Sequence, residues 1–238
     1  MIANVRRTRF RRARAGLLAA GSCLALVGCA PGAAPDAAPA APGQTALAQL
    51  ATLEVKGRAP RTGYARAQFG DGWVDTDRNG CSTRDDVLAR DLQDVAVRPG
   101  THGCVVASGE LLDPYSGTRI DFVRGPATSE EVQIDHVVAL SNAWQTGAAR
   151  WDAQQRKAFA NDPLELLAVD GSLNAAKGDG DAATWLPPDA AYRCAYVARQ
   201  VAVKAVHGLW VTPAEEEAVA RVLSTCPGQP SPAPTLQR

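Results

Sequence analysis

Two adjacent polar residues, Asp135 and His136, sit inside the apolar run EVQIDHVVAL. A buried strand avoids charge, because an unpaired ionised carboxylate is expensive to desolvate. A strand that accepts Asp-His is therefore either ending there or feeding a reactive site. Downstream, Asn174 and Lys177 lie three residues apart in GSLNAAKGDGD, so on a helix they share one face. A neutral imidazole can take a proton from water near pH 7. Carboxylate and amide oxygens are hard ligands suited to Mg²⁺ or Mn²⁺. Lysine offers a point charge to an anion. Lysines occur only at Lys56, Lys157, Lys177 and Lys204, which gives Lys177 weight. Adjacent strand residues face opposite ways, so Asp135 and His136 converge only where the strand bends or ends.

The elements that must position these residues follow from caps and periodicity. CSTRDDVLARDL offers Thr83 as N-cap with Asp86 three residues on, and WDAQQRKAFA offers Asp152 with Gln155. DAAYRCAYVARQVAVKAVHG has a helical pattern stopped by Gly208. WVTPAEEEAVARVLSTC opens with Thr212 as N-cap, Pro213 at the first helical position and Glu215 at the third. Strand signals are shorter: GCVVASG with ELLDPYSGTRIDFV, then VQIDHVVAL, then LELLAV. No internal repeat and no regular βαβ alternation is present, so the expected class is α+β.

In these residues the chain resembles the HNH nuclease superfamily (ββα-metal, or His-Me finger), and more closely the exported HNH endonuclease family of actinobacteria. The resemblance is carried by IDHVVAL, by LLAVDGSLNAAKGDGDAATWLPP, and upstream by GCSTRDDVLARDL and DPYSGT; it spans about residues 60 to 225. It implies a ββα-metal core within a mostly helical single domain, with a small N-terminal strand and disulfide region. It implies hydrolysis of phosphodiester bonds, with His136 as general base, Asp135 and Asn174 as ligands of one Mg²⁺ or Mn²⁺, and Lys177 near the phosphate. Nucleic acid is the implied substrate, DNA ahead of RNA, and a monomer is expected. One departure stands out. The middle residue of the HNH pattern, usually an asparagine that ties down the loop carrying the base, is here Glu165. A carboxylate accepts a backbone N–H but does not donate as an amide does. Asn142 and Asn161 are the other candidates for that tie.

A second stretch, DTDRNGCSTRDD, spaces Asp75, Asp77, Asn79, Gly80, Thr83 and Asp86 as in a calcium-binding EF-hand loop. Against Ca²⁺ stand an Asp at the last position, Ser82 where an apolar residue is usual, Cys81 inside the loop, and no helix before Asp75. The favoured assignment is an acidic turn anchored by a disulfide.

Compartment comes from the first 28 residues. Six arginines (Arg6, Arg7, Arg9, Arg11, Arg12, Arg14) precede the apolar GLLAAGSCLALVGC, as in a secretory signal. The ending Leu26-Val27-Gly28-Cys29 resembles a bacterial lipobox, which implies cleavage before Cys29 and a lipid on its sulfur; an ordinary signal cut near Ala30 is the alternative. The expected layout is signal 1–28, Ala/Pro-rich linker 29–49, nuclease-like domain 50–226 and a loose Pro-rich tail 227–238. Without the signal the chain has 19 basic against 25 acidic residues, a net of −6, which excludes a generic basic nucleic-acid binder. Any nucleic-acid role must rest on a local site. Four further cysteines in an exported chain read as two disulfides, and the local pairing Cys81–Cys104 with Cys194–Cys226 is favoured over the other two. The rival functional assignment is a non-catalytic exported binding lipoprotein that retains the HNH fold.

Overall fold

The computed structural model describes residues 43–233 except residue 127. The Arg-rich leader, Cys29, the Ala/Pro tract to residue 42 and the last five residues lie outside the described residues. The elements in chain order are α1 (Ala46–Leu50), a 3₁₀ turn (Arg66–Phe69), α2 (Thr83–Asp91), β1 (Gln93–Val97), β2 (Val106–Leu112), β3 (Arg119–Val123) and β4 (Val132–His136). They continue with α3 (Leu140–Gln145), a second 3₁₀ turn (Ala148–Arg150), α4 (Ala153–Ala160), β5 (Leu166–Asp170), α5 (Gly171–Lys177), α6 (Arg193–Val206) and α7 (Pro213–Ser224). The result is mixed α and β with two small sheets.

Local signals decide most boundaries. The capping boxes at Asp152/Gln155 and Thr212/Glu215 both form. The α2 cap sits one residue earlier than expected: Ser82, not Thr83, accepts the N–H of Asp85. Thr83 turns inward instead, and its hydroxyl reaches the carbonyl of Val74. Both favoured disulfides are present, with Cys81–Cys104 pinning the start of α2 to the β1–β2 connection and Cys194–Cys226 joining α6 to the end of α7.

β1, β2 and β3 form an antiparallel sheet in that order, and β4 and β5 form a separate antiparallel pair. Two apolar clusters flank the pair. Ile134, Leu166 and Ala168 pack with Val87, Leu88 and Phe122 between α2 and the three-stranded sheet. Leu167 and Val169 point into the larger helical core with Tyr196, Val197 and Val201. β5 is thus apolar on both faces, which explains its unbroken Leu-Leu-Ala-Val run.

The expected ends of the folded region are corrected. Residues 46–50 form α1 rather than linker, with Ala46 and Leu50 buried against the helical core. The chain after Cys226 returns to it: Ala46 N–H donates to Gln229 O (2.9 Å) and Ser231 N–H to Gln44 O (3.0 Å). A five-residue segment with two leucines is too short to show a sequence period, but its small alanines suit a tight fit between two helices.

Candidate active site

β4 and β5 run side by side in the register Ile134–Ala168, Asp135–Leu167 and His136–Leu166. α5 follows β5 without a loop. Asp170 caps it by accepting the N–H of Leu173 (2.9 Å). The corner requires glycine, because a Cβ on Gly171 would lie 1.9 Å from the carbonyl oxygen of Glu130. This corner brings Asn174 beside β4, where its Nδ2 donates to Gln133 Oε1 (2.9 Å). The strand ends at His136, as convergence of the Asp-His pair demands.

The ends of β4 and α5 open on a cleft of about 540 Å³ lined by Gln133, Asp135, His136, Ser141, Asn174 and Asp179, and on the far side by Arg61, Tyr64 and Arg66. Three of the four residues singled out for chemistry therefore share one cavity. Lys177 does not join them there.

Asp135 is buried, and both its oxygens accept hydrogen bonds. Tyr115 Oη donates to Oδ2 (2.5 Å) and Lys177 Nζ to Oδ1 (2.8 Å). Lys177 Nζ also donates to the carbonyl of His136 (2.7 Å). The expectation that Lys177 meets a phosphate is corrected by this arrangement: its ammonium is fully buried and committed to the strand end. The physical reason is the buried carboxylate of Asp135, which takes the Lys177 ammonium as its ion-pair partner.

His136 donates from Nε2 to Ala160 O (3.0 Å), since a carbonyl can only accept. Nδ1 is then the nitrogen with the free lone pair. Burial pushes the imidazole down to about 3 from its usual 6.5, so the ring is neutral over the physiological range. Trp73 stacks on it with centroids 5.8 Å apart and planes 11° from parallel. Asn161 holds that tryptophan's loop, its Oδ1 accepting the N–H of Val74 (3.1 Å).

Glu165 is fully buried directly behind His136. Its side chain accepts the N–H of Val138 (3.2 Å to Oε2), and its carbonyl accepts the N–H of Val137 (3.0 Å). Glu165 thus ties the segment after His136 by acceptor contacts, while the amide donor to that segment comes from α6, where Gln200 Nε2 donates to Val137 O (2.8 Å). Desolvation raises the Glu165 carboxyl well above its usual range, against the nearby charge of Lys177. Asn142 takes no part: it accepts from Lys204 Nζ (3.3 Å) in the helical core.

The Asp75–Asp86 loop is a turn network. Asn79 Nδ2 donates to Asp77 Oδ2 (3.1 Å) and Asp86 Oδ1 (3.0 Å), and Gly80 N–H to Asp75 Oδ2 (2.9 Å). Among the described residues no group of three or more His, Cys, Asp or Glu side chains is gathered as a metal site.

Sequence reasoning missed Tyr115, Arg61, Arg66 and Trp73. Tyr115 had a signal: it stands in DPYSGT, a turn whose other members are turn formers, and a large aromatic there wants a buried partner. The arginines had none, since an exposed Arg in a loop carries no pattern.

The chain matches the family model described as GmrSD restriction endonucleases, C-terminal domain, over residues 82–222, more than half its length. That span contains Asp135, His136, Glu165, Asn174 and Lys177 and leaves out Arg61, Arg66 and Trp73. An uncharacterized secreted protein of Arthroderma benhamiae is 40% identical over 184 residues, covering 76% of this chain and 85% of the relative. No solved structure matches. The chain belongs to the family of the GmrSD restriction endonuclease C-terminal domain, a nuclease-like family.

Proposed function

We propose that this protein is an exported HNH-type endonuclease in which His136 removes the proton from the attacking water. The observation that carries the reading is the fixed tautomer: Nε2–H is held by Ala160 O, so a neutral Nδ1 remains on a ring that lines the cleft. A base is most effective when its pKa lies near the working pH. The negative charge of a bound phosphate moves His136 in that direction, from its low value in the free protein.

A divalent cation, Mg²⁺ or Mn²⁺, fits the donors present. Each Asp135 oxygen accepts one hydrogen bond and retains a lone pair, and among the described residues no donor occupies Asn174 Oδ1. Such a cation is held by one or two protein oxygens plus substrate phosphate, so a cluster of acids is not required. When bound it supplies Lewis-acid stabilisation of the developing charge. Lys177 and Tyr115 fix the orientation of Asp135 through its two oxygens, so that it would be able to hold the cation. The β4, β5 and α5 arrangement supports a ββα-metal core, and nucleic acid, DNA ahead of RNA, is the substrate of this reading. Export is supported by the two disulfides and by the secreted relative. Lipid attachment at Cys29 rests on the sequence alone.

The test is nicking of supercoiled plasmid, with RNA in parallel, by purified protein in Mg²⁺ or Mn²⁺ against EDTA. Metal-dependent nicking lost in His136→Ala is the expected result. A folded, metal-replete wild type inert on both substrates overturns the enzyme reading in favour of a binding protein that keeps the fold.

A further inference from the structure

The cleft has two carboxylates and needs a cation for a phosphate. Asp135 is matched by Lys177, whose ammonium is fully buried. Asp179 is matched by Arg61 (3.2 Å), which also lies over the Tyr64 ring, and its Oδ2 accepts from Ser141 Oγ (2.8 Å). Arg58, nearby, is held by buried Asp181 (2.6 Å). Arg66 differs from all three. It lines the cleft and the small cavity beside Trp73, and among the described residues it has no carboxylate within ion-pairing distance and no side-chain hydrogen bond. After pairing, the cleft is left with one uncompensated positive charge, and Arg66 carries it.

Its mount is rigid. Arg66 opens the 3₁₀ turn that ends at Phe69, and Phe69 is buried against Trp144 and Phe159 at centroid distances of 6.5 and 6.1 Å. Gly70 leaves the turn at φ 94°, and a Cβ there would lie 3.2 Å from Lys157 Cγ. The backbone is anchored while the guanidinium stays in solvent. A planar guanidinium presents paired donors that fit two oxygens of one phosphate.

We propose that Arg66 is the phosphate-binding side chain of the cleft, the role that the HNH resemblance implies for Lys177. The proposal rests on the nuclease reading and deepens it. Because Arg66 precedes residues 82–222, it also means that the family domain is completed by a segment outside it.

The experiment measures binding of fluorescent DNA and RNA oligonucleotides to His136→Ala protein across a salt series, with Arg66→Ala, Arg66→Lys and Arg98→Ala added singly. Arg98 is an exposed arginine on the β1–β2 connection, away from the cleft. Arg66→Ala should raise Kd about tenfold, as expected for one lost charge-assisted contact. It should flatten the slope of log Kd against log salt by roughly one. Arg66→Lys should keep the slope and bind more weakly than Arg66. Arg98→Ala should change neither, and Arg66→Ala should melt like its parent, because the side chain holds nothing in the fold. An Arg66→Ala protein with parental Kd and slope, while wild type cuts and His136→Ala binds, overturns the Arg66 assignment and leaves the nuclease reading standing. Equal losses from Arg66→Ala and Arg98→Ala overturn it as well, since binding would then be diffuse. If His136→Ala binds neither oligonucleotide and wild type cuts neither, the nuclease reading falls and takes Arg66 with it.

Discussion

Among the described residues stand two buried lysine–carboxylate pairs, and they differ in what surrounds them. Lys204 meets Glu215 (2.7 Å), Asn142 Oδ1 (3.3 Å) and Trp210 O (3.0 Å), so its three protons are satisfied in a closed core. Glu215 at the same time caps α7 by accepting the N–H of Thr212 (3.3 Å). Lys177 meets Asp135 and the carbonyl of His136, one residue from an open cleft. The first pair joins helices. The second holds the end of β4, where Asp135 and the proposed base His136 stand side by side. The same two-group chemistry therefore joins helices in one place and borders the proposed active site in the other, and the deciding feature is the neighbouring cavity.

The largest effect should come from breaking either pair. Removing one partner of a buried pair leaves an uncompensated charge, at a cost of roughly 3–5 kcal/mol. Lys204→Met and Lys177→Met should both lose that much in urea unfolding. They should part in cleavage per folded molecule: unchanged for Lys204→Met, strongly reduced for Lys177→Met. Equal activity in the two variants would erase the distinction drawn between the pairs.

His136→Ala sharpens it from the other side. Losing a general base should lower cleavage by about 10²-fold or more. The stability loss should be smaller than for Lys177→Met, because no charge is stranded. A variant that unfolds as readily as Lys177→Met while cutting at the wild-type rate would make His136 a packing residue.

Much of this contrast was legible in the sequence. Thr212, Pro213 and Glu215 announced α7, and Asp135, His136 and Asn174 fell into one cleft. The helical spacing of Asn174 and Lys177 gave a shared face but not its depth: midway along the short α5 Asn174 lines the cleft, and at its end Lys177 is buried. β1 was missed because it is an exposed edge with an irregular register and Asp94 at φ 50°. Tyr115 and Arg66 were missed because they reach the site from 20 and 70 residues before it, Tyr115 on Asp135 and Arg66 beside His136. Contacts of that range leave no local period.

Tyr115→Phe should have an intermediate effect. It removes one hydrogen bond to a buried carboxylate and nothing from the packing against Trp185 and Tyr196. A loss of about 2 kcal/mol in stability is expected. Cleavage should fall by less than in His136→Ala, because Lys177 still holds Asp135. If Tyr115→Phe strips activity as fully as Lys177→Met, the strand end depends on both partners rather than chiefly on the ammonium.

The smallest change at neutral pH is expected from Glu165→Gln, and its sign depends on pH. Burial raises the folded carboxyl well above the ordinary 4.5, so folded protein keeps this proton to higher pH than unfolded chain does. The Glu165 contribution to stability is then fully present below about pH 4.5 and is lost as pH rises through the raised folded value. Glutamine has the shape of the protonated acid, accepts the N–H of Val138 and has no proton to lose. Near pH 5 the two proteins should unfold within about 1.5 kcal/mol of each other, the usual limit for a volume-conserving exchange. Towards pH 9 the variant should become the more stable, because only the wild type must ionise a buried group or unfold to avoid it. Cleavage should persist throughout, since the tie that Glu165 makes behind His136 needs only an acceptor. Urea midpoints measured across that range decide the matter. Parallel curves for the two proteins would mean that Lys177 stabilises an ionised Glu165 as well as Asp135, and the site would then hold two carboxylates on one ammonium.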